Sequence, residues 1–171
     1  MEKQKQTLKQ ISVCALVAAM YAAATLLFAP LSFGALQCRV SEALCIIPFI
    51  LPESVWGLFI GCFIANLISG NIFDIVFGSL ATLLAALCTA ALGKRGSTRR
   101  NRVLACLMPV IFNALIVGAV ITAGYEGKAI SENFGLYALN AGYIALGEAP
   151  VMFVLGLPLL KFLTKRFINI I

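Results

Sequence analysis

"ALCIIPFILPESVWGLFIGCFIANLIS", Ala43 to Ser69, is the stretch on which the fold turns. A spanning helix needs about 20 residues, at about 1.5 Å each, to cross about 30 Å of hydrocarbon. The stretch is overlong for one such helix and short for two. Pro52, Glu53 and Ser54 stand in its middle, and a proline followed by polar residues favours a turn. One long crossing and two short ones both remain open until the charges around it are placed.

Hydrophobic residues make up 61% of the 171 positions and charged residues 12%. Soluble domains carry roughly 45–50% apolar and about 25% charged residues. The chain therefore reads as an all-α integral membrane protein with several crossings. The apolar run Ile11–Phe28 follows a basic start, as in a signal peptide, but is longer than the core of one, so we read it as a retained helix.

Eleven of the 13 basic residues fall in three clusters: Lys3, Lys5 and Lys9; Lys94, Arg95, Arg99, Arg100 and Arg102; Lys161, Lys165 and Arg166. Short cytoplasmic loops collect lysine and arginine, so all three clusters are expected inside. An even number of crossings must then separate them. Three spans before Lys94 would leave that loop outside, whereas four return it to the cytoplasm. Ala43–Ser69 thus holds two crossings. The expected architecture is a single domain over 1–171, a six-transmembrane-helix bundle with both termini cytoplasmic and spans near 11–28, 41–51, 54–69, 75–93, 103–123 and 134–162.

Loops Pro30–Ser41, Gly70–Asp74 and Gly124–Asn133 then face outside, with polar residues including Gln37 and Arg39, Asn71 and Asp74, and Glu126, Lys128 and Glu132. The second helix, capped by Ser41, would rise only about 15 Å as an α-helix. It needs protein around it, because irregular backbone at membrane depth is tolerated only where protein buries it or it lines a cavity.

Several polar residues need a reason to be in or near lipid. In the sixth run Tyr137, Asn140, Ile144 and Glu148 share one helical face, and Pro150 frees a carbonyl beside Glu148. Either a kink braced by a protonated glutamate or a polar pocket wall accounts for them. Asn66 and Asp74 bracket the ends of the third and fourth helices, and Asp74 is also a fair N-cap. Arg39 and Glu42, three residues apart, form either a surface ion pair, worth less than about 1 kcal/mol, or the lip of a site. Trp56 reads as an interfacial anchor. On the first helix Ala15, Ala19 and Ala23 recur every fourth residue with Ala18 and Ala22 beside them, a small-residue stripe that suits close packing within the bundle or against a partner.

Other chemistries find little support. There is no histidine, no CxxC and no GxxxxGK[ST], so neither a zinc site nor a P-loop nucleotide site is expected. The cysteines, five of six inside apolar runs, behave as small hydrophobes. An intramembrane enzyme using Glu148 and Asp74 as acid and base would lack a nucleophile–base pair. No cofactor and no nucleic-acid partner are expected.

The segments "LQCRVSEALCIIPF", "GLFIGCFIANLISGNIFDIVFGSLATLLAA" and "ALGEAPVMF" resemble the QueT family of bacterial membrane proteins over nearly the whole chain. Cys38 and Cys45 stand where other small or aromatic residues would be expected. The resemblance implies an S component of an energy-coupling-factor (ECF) importer for queuosine precursors, multi-pass in the bacterial cell membrane and not itself an enzyme. It implies as partners a transmembrane T component, docked on Ala15, Ala18, Ala19, Ala22 and Ala23, and two ATPase subunits. It places the ligand, a deazaguanine, near the outer face.

A guanine-like edge offers two parallel donors that suit one carboxylate, and its oxygen wants a donor such as asparagine or arginine. A flat ring wants an aromatic neighbour such as Tyr137 or Phe33. Candidate ligand contacts are therefore Arg39, Glu42, Asn66, Asp74, Tyr137, Asn140 and Glu148, with Glu148 as floor and Arg39 or Glu42 in a lid. The same fold carrying a different vitamin-like ligand is the other transport reading.

Overall fold

A computed structural model describes residues 2–32 and 38–168, so the expectations for Phe33 and Gln37 lie outside the described residues. The described chain is helical throughout, with no strand. Helices α1 (Glu2–Leu27) and α2 (Ala29–Ser32) precede a ten-residue 3-10 helix, Val40–Phe49, and then α3 (Ser54–Ser69). A π-turn, Asp74–Gly78, runs into α4 (Ser79–Lys94). Helix α5 (Arg99–Val120) ends in the π-turn Ile121–Tyr125. Helix α6 (Phe134–Pro150) continues through a π-segment, Val151–Gly156, into α7 (Leu157–Ile168).

Four of these helical stretches are long and apolar enough to cross a bilayer, and Val40–Phe49 and Ser54–Ile68 are shorter apolar helices. Large apolar side chains such as Leu16, Leu27, Ile68 and Leu146 are exposed. A surface of that kind belongs against lipid, and the protein is a multi-pass membrane protein. Trp56 is among the exposed side chains, at the start of α3.

The connection between the two short helices is the turn at Pro52, with the amides of Ser54 and Val55 bonded back to Leu51 and Pro52. Ser41 is not the cap: the 3-10 helix starts a residue earlier, and the Ser41 hydroxyl accepts from Thr25 at 2.7 Å. Nor does Asp74 cap the fourth helix. Asn71 does, its Oδ1 accepting from the amides of Phe73 and Asp74 at 3.0 and 3.5 Å, which leaves Asp74 inside the first turn. Gly70 closes α3 at φ 78°, in the left-handed region that suits glycine at a helix end.

The 3-10 helix is the axis of the bundle. It packs against α1, α3, α4, α5, α7 and the π-segment Val151–Gly156. Cys45 and Ile47 join one apolar cluster with Tyr21, Leu58 and Ala86, while Ile46 and Phe49 join another with Cys106, Val110 and Met152. Ten residues of 3-10 helix rise about 20 Å, yet the segment needs no lipid contact because other helices enclose it.

Helices α1 and α3 approach through Gly57 and Gly61. A Cβ on Gly57 would stand 2.5 Å from the Cys14 carbonyl oxygen, and one on Gly61 would stand 2.7 Å from that of Ala18. The G-x-x-x-G spacing removes side chains from one helical face, so backbones meet and dispersion holds them in lipid. Ala18 is therefore spent on internal packing and is buried, whereas Ala15, Ala19 and Ala23 stay exposed and Ala22 lies between the two classes.

Candidate functional site

The candidate site begins with the pitch of the 3-10 helix. At three residues per turn, side chains three apart eclipse one another. Glu42 and Cys45 stack this way, with Arg39 one step before them at the N-cap, and the Cys45 thiol donates to Glu42 Oε2 at 2.9 Å. Helix α1 contributes the Tyr21 hydroxyl and α4 the Thr82 hydroxyl, both donating to Glu42 Oε1, the latter at 3.1 Å. Three helical elements thus converge on one carboxyl group.

Arg39 is 2% exposed, Glu42 0%, Asp74 6% and Glu148 1%. The surface ion-pair reading of Arg39 and Glu42 is thereby excluded. Arg39 lies within electrostatic reach of Glu42 and Asp74, and Glu148 within reach of Glu42 and Arg39. Arg39 Nε also donates to the Ser32 carbonyl at 3.4 Å. Arg39 and Asn66 converge on the π-turn: a Cβ placed on Gly78 would be 3.1 Å from Asn66 Nδ2 and 3.7 Å from Arg39 Nη1. Asn66 Nδ2 donates to the Asp74 carbonyl at 2.8 Å and ties α3 to the start of the next helix. Three buried carboxyl groups thus lie within electrostatic reach of one buried guanidinium.

Glu148 has a partner that inspection of the sequence passed over. Asn113, in the middle of α5, donates through Nδ2 to Glu148 Oε1 at 2.6 Å. The signal was an amide inside an apolar run, which in lipid marks either helix pairing or a polar cavity. Thr82 and Tyr21 were missed likewise. Glu148 Oε2, Asn113 Oδ1 and Ser79 Oγ are buried without a protein partner. Each such atom costs about 1–3 kcal/mol unless something polar reaches it, so these atoms have hydrogen-bonding capacity that the helices do not use.

Tyr137 and Asn140 do not join the centre. Asn140 Nδ2 donates to Thr122 Oγ1 at 3.0 Å and Glu126 Oε2 at 3.4 Å, and the Tyr137 hydroxyl donates to the Leu115 carbonyl at 3.4 Å. Asn140 is eight residues from Glu148, about 12 Å along the helix, and serves the α5–α6 seam. A cavity of about 570 Å³ also lies elsewhere, with an apolar lining that includes Phe73, Phe77, Ala119 and Ala123. The six cysteines are free thiols, and no metal-binding group of His, Cys, Asp or Glu occurs among the described residues.

Apolar helices that enclose acids, amides and one arginine define a membrane protein with a buried polar centre, and ionisable groups at such depth line substrate paths or pair with one another. The particular family follows from a profile described as QueT transporter, which matches residues 11–165; the chain belongs to that family. It is similar to the queuosine precursor transporter QueT of Lactococcus lactis subsp. cremoris strain MG1363, 29% identical over 159 residues that cover 88% of this chain and 90% of the relative. No solved structure matches it.

Proposed function

We propose that this chain is the S component of an ECF-type importer, capturing a queuosine precursor of the deazaguanine class at the outer face of the bacterial cell membrane. The buried centre of Arg39, Glu42, Asp74 and Glu148 with Asn66 and Asn113 carries the reading. A deazaguanine presents two parallel donors, met by Glu148, and an oxygen, met by an amide or Arg39. With three acids against one arginine, a cationic aminomethyl arm would also find a carboxylate. Tyr137 and Asn140 take a supporting role at the outer seam.

In this reading the bundle crosses six times, both termini are cytoplasmic, and Val40–Phe49 and α3 are the second and third crossings. The chain has no P-loop sequence, so ATP hydrolysis falls to two partner ATPases, coupled through a T component that docks on Ala15, Ala19 and Ala23. The queuosine precursor in the name of the Lactococcus relative supports the ligand class.

Titrating the detergent-purified chain with tritiated deazaguanine, with and without an aminomethyl arm, tests the proposal. Saturable one-to-one binding, tighter with the arm, is expected. Absence of binding by either compound would transfer the fold to another small ligand.

A further inference from the structure

A second polar cleft lies at the other end of the bundle. The Asn66–Asp74 region sits where α3 gives way to the π-turn, and Asp74–Lys94 is a continuous 21-residue helical stretch, so Lys94 lies about 30 Å away. There a cavity of about 290 Å³ is lined by Arg99, Arg102, Val103, Leu157 and Lys161. Arg99 and Arg102 are one turn apart on α5 and share a face, and Lys161 comes from α7.

Three features of this cleft point to an anion. No acidic residue occurs from Lys94 to Arg102 or in α7, so the cations gain no counter-charge from their own elements. Arg102 Nε is buried and has no hydrogen-bond partner in the protein. Arg99 and Arg102 also stand in the first turn of α5, where the helix dipole adds partial positive charge. The turn is held in place by the Thr98 side chain, which accepts from the Asn101 amide at 3.2 Å, and by Asn101 Nδ2, which donates to the Gly96 carbonyl at 2.7 Å.

The volume is at the low end for ligand pockets, which run about 300–1,000 Å³. It suits a headgroup better than a nucleotide. Val103 and Leu157 give the cleft an apolar side beside its cationic one, the lining an amphiphile needs. We propose that this cleft is a phosphate-binding site whose fitting occupant is the phosphodiester of an anionic phospholipid, with free phosphate as the alternative source of the same group. Arginine supplies paired donors to phosphate oxygens, and Lys161 adds a point charge. A lipid held there would bridge α5 to α7 at the membrane surface, where basic clusters meet anionic headgroups.

The experiment uses the whole chain in detergent, followed by native mass spectrometry and thermal unfolding. It is offered dioleoylphosphatidylglycerol, dioleoylphosphatidylcholine or inorganic phosphate. Phosphatidylglycerol should be retained about tenfold better than phosphatidylcholine, the size of one charge-assisted hydrogen bond. Arg99→Gln and Arg102→Gln should each remove about that preference, whereas Arg100→Gln, outside the cleft, should keep it. A melting temperature raised by millimolar phosphate in an Arg99-dependent way, without lipid preference, would identify free phosphate as the occupant. Equal retention of both lipids with no response to phosphate would overturn the site. So would an equal loss on Arg100→Gln, which would reduce the effect to diffuse charge. Because Arg99 is exposed, its variant remains informative if Arg102→Gln fails to fold.

Discussion

Asn113 Nδ2 holds Glu148 Oε1 at 2.6 Å across the α5–α6 seam, while Glu148 Oε2 has no protein partner. The carboxyl group is thus oriented by one oxygen and offers the other. In Glu148→Gln the carbonyl can keep the Asn113 bond, which puts the amide nitrogen where a ligand donor should arrive. Affinity for deazaguanine should fall about 10–150-fold, matching about 1.5–3 kcal/mol for a charge-assisted bond, with little change in melting temperature. Titration of the purified variant decides, and parental affinity would make Glu148 a brace for the kink at Pro150.

Arg39 is the one cation among the buried groups of the centre, with three carboxyl groups near it. Arg39→Ala removes the opposing charge from a closed site, a change that typically costs about 3–5 kcal/mol. Thermal unfolding should show a clearly destabilised protein. A variant with the parental melting temperature and only faster ligand release would instead make Arg39 a lid residue.

Neighbouring alanines on α1 should behave differently. Ala18→Leu drives a side chain into the backbone contact at Gly61 and should destabilise the fold by about 1–3 kcal/mol. Ala19→Leu thickens only an exposed face. Its melting temperature and ligand affinity should hold while co-purification with a T component falls. Unchanged co-purification and transport would remove the stripe as an interface.

The proposed orientation is open to direct labelling. In a background without native cysteines, Lys128→Cys should react with an impermeant maleimide from outside intact cells, and Arg99→Cys should not. External labelling at Arg99 would overturn the six-crossing arrangement.

The elements of the centre were unequally legible in the sequence. Glu42 and Glu148 announced themselves because an acid in an apolar run is expensive in lipid. Asn113 carries no charge and lies between Phe112 and Ala114, so hydropathy barely registers it. The shortness of the second helix was visible, but its narrow pitch was not. That pitch, which stacks Glu42 over Cys45, follows from packing on all sides. Asp74 read as a fair cap, and only the bonds from the Phe73 and Asp74 amides to Asn71 Oδ1 show that the helix starts earlier. The glycines at 57 and 61 were in plain view within a segment read for resemblance, and their spacing needed α1 opposite it to acquire meaning.

The enclosure of Val40–Phe49 also makes its stability conditional on its neighbours. Four helical stretches have the length and apolarity to settle in a bilayer independently. The 3-10 helix does not, because its backbone and its glutamate are tolerable only inside walls supplied by α1, α3, α4, α5 and α7. The segment that bears Arg39 and Glu42 therefore owes its place at membrane depth to its neighbours and not to its own composition.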